Sequence, residues 1–238
     1  MMALYMNHSL KDIVSIVAGL TQPLEIEIIR GLLKEDAVVV VPASNADTIL
    51  QIKNEVADIS TGSLITLIID PLDYERSQDI TDHIRQNYGS IDLVIVLSGK
   101  VYSPLPLTEL EYTTWDSMQC DSLSHCFMSA RLILPLMKHQ QRGTFIQICN
   151  NPEEHSHRTS PLGRIAGTVQ VEVSKILEEE VSKHGVRYYH VFSDNENQKV
   201  NRVEEAAYII HLFKEKNNPS KELFHQAFGT LLVDSLVG

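Results

Sequence analysis

Two stretches of this sequence hold residues whose types and spacing could do chemistry. The first is Asn150-Asn151-Pro152-Glu153-Glu154-His155-Ser156-His157-Arg158. A His-x-His pair beside carboxylates can ligate a divalent metal. His155 and His157 do not fall in a recognised zinc spacing, and on a loop alternate side chains need not converge. The segment therefore reads first as a solvated loop, and no metal is assigned. Ser160 with His155 or His157 would form a hydrolytic pair, but no G-x-S-x-G elbow surrounds the serine. The second stretch is Ala18-Gly19-Leu20-Thr21-Gln22-Pro23-Leu24-Glu25, a turn ahead of a helical pattern. A helix N-terminus can hold a phosphate on its free N–H groups. Here Pro23 removes one donor, and Glu25 puts a carboxylate in the first turn. That carboxylate suits the bare helix dipole and opposes a bound anion. Two unit charges about 4 Å apart repel by roughly 1 kcal/mol in water and about 4 at an intermediate dielectric.

Composition narrows the classes. The chain has 238 residues, 43% of them hydrophobic, which is enough for one large α/β domain over residues 1–238. A net charge of -11 argues against nucleic acid or an anionic membrane as the main partner. No apolar run approaches the roughly 18 residues of a membrane span. The first ten residues lack the pattern of a signal peptide. Cys120, Cys126 and Cys149 have neither CxxC nor metal spacing and read as reduced thiols, so a cytoplasmic location is expected.

The elements that must position these residues alternate along the chain. Strands are predicted at Ile13–Val17, Ala37–Val41, Leu64–Ile69, Leu93–Leu97, Thr144–Ile148 and Val186–Phe192, with a short last one at Thr230–Val233. Helices are predicted at Leu24–Leu33, Ala46–Val56, Gln78–Tyr88, Thr114–His139, Ile165–Lys183 and Glu204–Lys214, with Pro135 ending or kinking the long one. Continuous apolar strands alternating with helices imply a sheet covered on both faces. The expected fold is a doubly wound Rossmann-type three-layer sandwich with a mostly parallel seven-stranded sheet. Ligands of such sheets bind at the carboxyl ends of the strands, near the reversal of strand order.

Several spaced strings carry a resemblance to one family. Trp115-Asp116 begins a string that ends in Leu134-Pro135-Leu136-Met137. Gly89-Ser90-Ile91-Asp92 leads into the fourth strand and Lys183-His184-Gly185-Val186-Arg187 into the sixth. Asp70-Pro71-Leu72-Asp73 follows the third strand, and Glu204-Glu205-Ala206-Ala207 opens the last helix. Together, over roughly residues 13 to 234, these strings resemble the short-chain dehydrogenase/reductase family. They mark the chain as a divergent member without the Tyr-x-x-x-Lys motif.

The resemblance implies NAD or NADP binding at a glycine-rich turn. Of that turn's three glycines only Gly19 is kept, so weak or absent dinucleotide affinity is expected and no cofactor is assigned. Asp70 and Gly99 are the other positions matched to the family's cofactor site. Asp70 reads equally well as a capped turn. After the second strand, Pro42-Ala43-Ser44-Asn45 offers neither an acid for a ribose nor an arginine for a 2′-phosphate. Val96 and Leu97 replace two asparagines that frame the nicotinamide pocket. The family's proton relay runs through an asparagine, a serine, a tyrosine and a lysine. The matching positions here hold Ser122, Asn150, Gly163 and Gly167. Tyr188 and Tyr189 fall in a predicted strand and read as packed residues. Ser174 and Lys175 match the motif in composition only.

Three functions follow from these readings. The first is a non-catalytic member of the fold, a pseudoenzyme. It would be a homo-oligomer (dimer or tetramer) or a hetero-oligomer with a related chain, pairing through Thr114–His139 and Ile165–Lys183. Apolar positions there include Phe127, Leu134, Val169, Val173 and Leu177, which could instead face the sheet. The second is an NAD(P)-dependent carbonyl or alcohol oxidoreductase using substitute residues. The third is a ligand-binding protein that uses the remnant cleft.

Overall fold

The computed structural model describes residues 9–19, 23–69, 73–98, 102, 104–149, 160–193, 201–215 and 224–226. Through them run β1 (Val14–Ala18), α1 (Pro23–Lys34), β2 (Val38–Ala43), α2 (Ala46–Glu55), β3 (Ser63–Ile68), α3 (Tyr74–Tyr88) and β4 (Leu93–Leu97). Then come α4 (Tyr112–Met118), α5 (His125–Gln140), β5 (Gly143–Cys149), α6 (Pro161–Val181), β6 (Val186–Phe192), α7 (Arg202–Lys214) and a three-residue β7 (Phe224–Gln226). The sheet order is β3-β2-β1-β4-β5-β6-β7, and every described pairing is parallel. This is the predicted doubly wound architecture. The body of the sheet is six-stranded, one fewer than expected from sequence, and only the short β7 brings the count to seven. The strand predicted at Thr230–Val233 lies outside the described residues.

The continuous apolar strands are explained by two cores. Along β4, Leu93, Ile95 and Leu97 enter the core under α1 and α7, while Val94 and Val96 enter the one under α5 and α6. Tyr188 and Tyr189 divide in the same way and are both buried, as expected of packed residues. Phe145 and Tyr188, paired across β5 and β6, stack with ring centroids 5.2 Å apart. Strand order reverses at β1, which lies between β2 and β4. In open α/β sheets ligands bind beside such a reversal, which here is at the carboxyl ends of β1 and β4.

The single helix predicted over Thr114–His139 is corrected. Between α4 and α5 the chain makes a π-helical turn, Gln119–Ser124, in which the His125 amide reaches back to the Cys120 carbonyl. Such single turns are rare and concentrate at functional sites. Pro135 does not end the helix, which runs on to Gln140.

Most of the strings that carry the family resemblance have structural jobs. Arg187 donates to the carbonyls of Leu212, Phe213 and Glu215, tying β6 to the carboxyl end of α7. Gly185 has φ +73°, and a Cβ on it would stand 2.5 Å from the Gln141 carbonyl oxygen, so only glycine fits. Asp92 accepts from the Val14 amide and from the Ser90 hydroxyl, joining the foot of β4 to β1. Asp73 and Asn201 cap α3 and α7.

Candidate functional site

β1 delivers Gly19 to the crevice, and α1 starts at Pro23. Glu25 is 1% exposed. Its side chain turns inward over the glycine: a Cβ on Gly19 would lie 3.1 Å from Glu25 Cδ and 3.2 Å from Oε2. The same Cβ would lie 3.1 Å from Leu97 Cβ. Gly19 is thus held by close packing between α1 and the end of β4. A carboxyl group therefore lies beside Gly19 in the first turn of α1. Leu20 to Gln22, Asp70 and Gly99 lie outside the described residues.

The pocket wall is closed to solvent. Val96 and Leu97 are buried, each in a different core. The next residue, Ser98, is also buried and donates through its amide to the Ile148 carbonyl at 2.9 Å.

The described positions matched to the relay, Ser122, Gly163 and Gly167, lie on α6 and on the π turn that packs against it. Ser160, the hydrolytic candidate, is the N-cap of that helix, and its hydroxyl accepts from the Gly163 amide at 2.9 Å. Gly163 therefore sits in the first turn, with Gly167 one turn further along and buried. Ser122 is buried in the π turn. Asn150 and the loop with His155 and His157 lie outside the described residues. Among the described residues no three His, Cys, Asp or Glu side chains group as metal ligands.

Two residues not anticipated from sequence complete this site. Tyr102 brings its ring next to Gly163, with Cδ2 3.9 Å from where a Cβ on that glycine would stand. Its hydroxyl hydrogen-bonds Ser122 Oγ, and its ring packs with Met118, Leu162 and Ala166. Burial raises the Tyr102 phenol above its usual range; the Ser122 bond offsets part of this and Asp121 adds to it. The second residue is Gln170, 2% exposed on the sheet-facing side of α6. Its Nε2 donates to the Ser122 carbonyl and to Ser98 Oγ, both at 3.1 Å. The amide thereby bridges the π turn to the end of β4. A sequence signal for it exists, since Ala166, Gln170 and Ser174 repeat at four-residue spacing on the sheet-facing side. Tyr102 has no such signal.

Below Gln170 a polar chain continues into the core. Ser174 Oγ donates to the Gln170 carbonyl at 2.8 Å and lies 2.5 Å from His190 Nδ1. His190 Nε2 is 2.7 Å from Cys149 Sγ. Burial lowers the His190 pKa to about 4 and pushes the Cys149 thiol well up, so both are neutral at pH 7. Neutral His190 thus donates through one ring nitrogen and accepts through the other, with Ser174 Oγ and Cys149 Sγ as the two neighbours. A buried neutral thiol is not an activated nucleophile. Lys175, next in sequence to Ser174, is exposed and pairs with Glu172 at 3.4 Å.

Parallel strands in this order, reversing at β1, define a doubly wound α/β protein. The chain matches the short chain dehydrogenase family over residues 13–191 and belongs to it. It is 25% identical over 181 residues to an uncharacterized oxidoreductase of Staphylococcus aureus strain MRSA252, covering 75% of each chain. It is 22% identical over 178 residues to an uncharacterized oxidoreductase of Staphylococcus saprophyticus, covering 75% of this chain and 76% of the other. Among solved structures it resembles a short chain dehydrogenase from Mycobacterium smegmatis, with TM-score 0.80, 14% identity and coverage of 95% and 96%. It also resembles a metagenomic short-chain oxidoreductase in complex with NADP, with TM-score 0.76, 17% identity and coverage of 92% and 96%. The structural matches speak to fold alone. No helix among the described residues is long and apolar enough to cross a membrane.

Proposed function

We propose that this chain is a non-catalytic member of the short-chain dehydrogenase family, which keeps the fold as a platform for assembly. The observation that carries the reading is the carboxyl group of Glu25 packed over Gly19. It fills the approach to the family's phosphate turn, so hydride transfer loses its cofactor before any question of acid–base chemistry arises. The relay positions point the same way. Gly163 has no proton to move, and Gly167 has no charge to lower a phenol's pKa.

Support for assembly comes from the long helices. Leu134 is buried in the core, but Phe127 on α5 is 51% exposed, and Val169 and Ile176 on α6 are 39% and 51% exposed. Val169 and Ile176 are two turns apart on one face of α6. These apolar side chains fit pairing with a second copy, as a dimer or tetramer, or with a related chain.

A second reading, an oxidoreductase with substitute residues acting on a carbonyl or alcohol, is favoured by one observation: the Tyr102 ring beside Gly163. A phenol whose pKa is raised by burial is poorly matched to proton transfer near neutral pH. Calorimetry with NAD(H) and NADP(H), beginning with the NADP bound by the metagenomic relative, tests the two readings together with light scattering. The expected result is an oligomer with no dinucleotide binding. Tight binding with turnover of a carbonyl substrate overturns the proposal.

A further inference from the structure

We infer that Tyr102 is an occupant, supplied by the chain itself, of a phenol-shaped site built from Met118, Leu162, Ala166 and Ser122 above the bare face of Gly163. The walls are specific. Met118 and Leu162 are fully buried, and Ala166 is nearly so. They hold the ring with Trp115 and Ile165 packed around them. At the far end the site offers one polar group, the Ser122 hydroxyl, to the phenol. Gln170 holds the Ser122 backbone through its carbonyl.

Gly163 borders the ring. A Cβ there would meet only ordinary contacts, at 3.4 Å to Ser160 Oγ and 3.9 Å to Tyr102 Cδ2. A side chain extending past Cβ would compete with the Tyr102 ring for the same volume. An aromatic ring from another segment therefore fills the place beside the family's tyrosine position. It bonds the residue at the family's asparagine position.

The chemistry of the walls names the ligand class. Apolar contacts around a ring and one hydroxyl partner at its tip suit a neutral phenol or aryl alcohol. Asp121 lies near enough to disfavour a phenolate. The wild-type site is self-occupied, so a ligand of this class binds only where the Tyr102 ring has been removed. The inference deepens the reading of the same cleft but does not depend on the cofactor result. Dinucleotide binding would overturn the assembly proposal and leave this one standing.

The test uses the full chain carrying Tyr102→Ala, with p-cresol as the probe because it is the tyrosine side chain without its backbone. At about a hundred times its Kd, p-cresol should raise the Tm of Tyr102→Ala by roughly 5–10 °C. It should leave wild type and Tyr102→Phe unmoved. Toluene should raise it less, and adding Ser122→Ala should abolish the preference for p-cresol over toluene. If Tyr102→Ala is folded by circular dichroism and gains nothing from p-cresol, the proposal fails. Should Tyr102→Ala not fold, p-cresol added during refolding must restore it, and the absence of rescue equally overturns the proposal. Wild type that binds p-cresol as tightly as the alanine variant also overturns it, since the site would then not be self-occupied.

Discussion

Gln170 and Ser122 meet through a side-chain amide and a backbone carbonyl 3.1 Å apart, and this bond ties the middle of α6 to the π-helical turn. The π register frees backbone groups that an α-helix would pair internally. Gln170 donates to the Ser122 carbonyl in this turn and at the same time to Ser98 Oγ. All three residues are buried. Gln170→Leu keeps the bulk and removes the donor to the Ser122 carbonyl and to Ser98. Each buried group left unpaired costs about 1–3 kcal/mol. The expected outcome is a lower urea midpoint with faster amide exchange across residues 119–125. Unchanged exchange there would show that the π turn does not depend on Gln170.

Glu25 sets the second expectation. Glu25→Gln removes charge and keeps volume; Glu25→Gly removes both. If the carboxyl group over Gly19 is what excludes a dinucleotide, NADPH affinity should rise in the order wild type, glutamine, glycine. Relief of a repulsion of about 1–4 kcal/mol corresponds to roughly five- to a thousandfold tighter binding. Calorimetry reads this directly. Equal affinity in all three proteins would place the obstacle elsewhere, in the loss of the other two glycines of the turn.

The fold was legible because its signals are local. β4 and β6 carry apolar runs bounded by turn residues, and the structure places them at the predicted Leu93–Leu97 and Val186–Phe192. The glycine and aspartate strings were legible for a similar reason, since a positive φ at Gly185 or a cap at Asp73 is a demand of the adjacent backbone. The candidate site was legible only in what it lacks. Gly163 and Gly167 could be counted, but what stands beside Gly163 comes from Tyr102, roughly sixty positions earlier, and no periodicity links the two. The direction of Glu25 was equally hidden, because whether a first-turn carboxylate turns out to water or in over Gly19 depends on contacts from outside its own helix. The π turn could not be read because its register is set by contacts with α6, and Trp115 to Met137 keeps the pattern of one long helix. Phe127 and Leu134 look alike in sequence, yet one is half exposed and the other is buried.

His190 makes stability pH-dependent in a definite direction. Its pKa falls from an ordinary 6.5 to about 4 in the folded chain, because burial disfavours the imidazolium. Between those values the unfolded chain binds more protons than the folded one, so stability rises with pH. The contribution is fully present above pH 6.5 and is lost progressively as pH falls towards 4. A shift of this size corresponds to about 3 kcal/mol. His125 is also lowered by burial and acts in the same direction. Urea midpoints should fall between pH 7 and pH 4.5, and His190→Gln should flatten that fall. A wild-type midpoint that does not move across this range would contradict a neutral buried His190.

Thiol labelling separates the three cysteines. Cys120 is exposed, while Cys126 and Cys149 are buried with raised pKa values, that of Cys126 reaching about 12. Thiolate, not thiol, attacks an alkylating reagent. Under native conditions near pH 7, iodoacetamide should modify Cys120 alone, and all three only after unfolding. Peptide mass spectrometry reads the sites. Rapid native labelling of Cys149 would mean that its pairing with His190 activates the thiol, and the chemistry at the end of β5 would have to be reconsidered.

Assembly can be tested on side chains that the fold itself does not need. Phe127 and Ile176 are each half exposed, and substitutions at such positions usually change stability by no more than about 0.5 kcal/mol. Phe127→Glu and Ile176→Glu should therefore leave the circular dichroism spectrum and the urea midpoint of a monomer nearly unchanged. If α5 and α6 form the interface, burying either carboxylate against a partner would be costly without a paired cation. Light scattering should then show wild type as an oligomer and each variant shifted to monomer, with the double variant fully monomeric. An oligomer of unchanged mass in the double variant would exclude this face. A wild type that is monomeric at all concentrations and recovers no related chain from its own cells would leave the exposed apolar residues without the partner proposed for them, and the assembly function would fall.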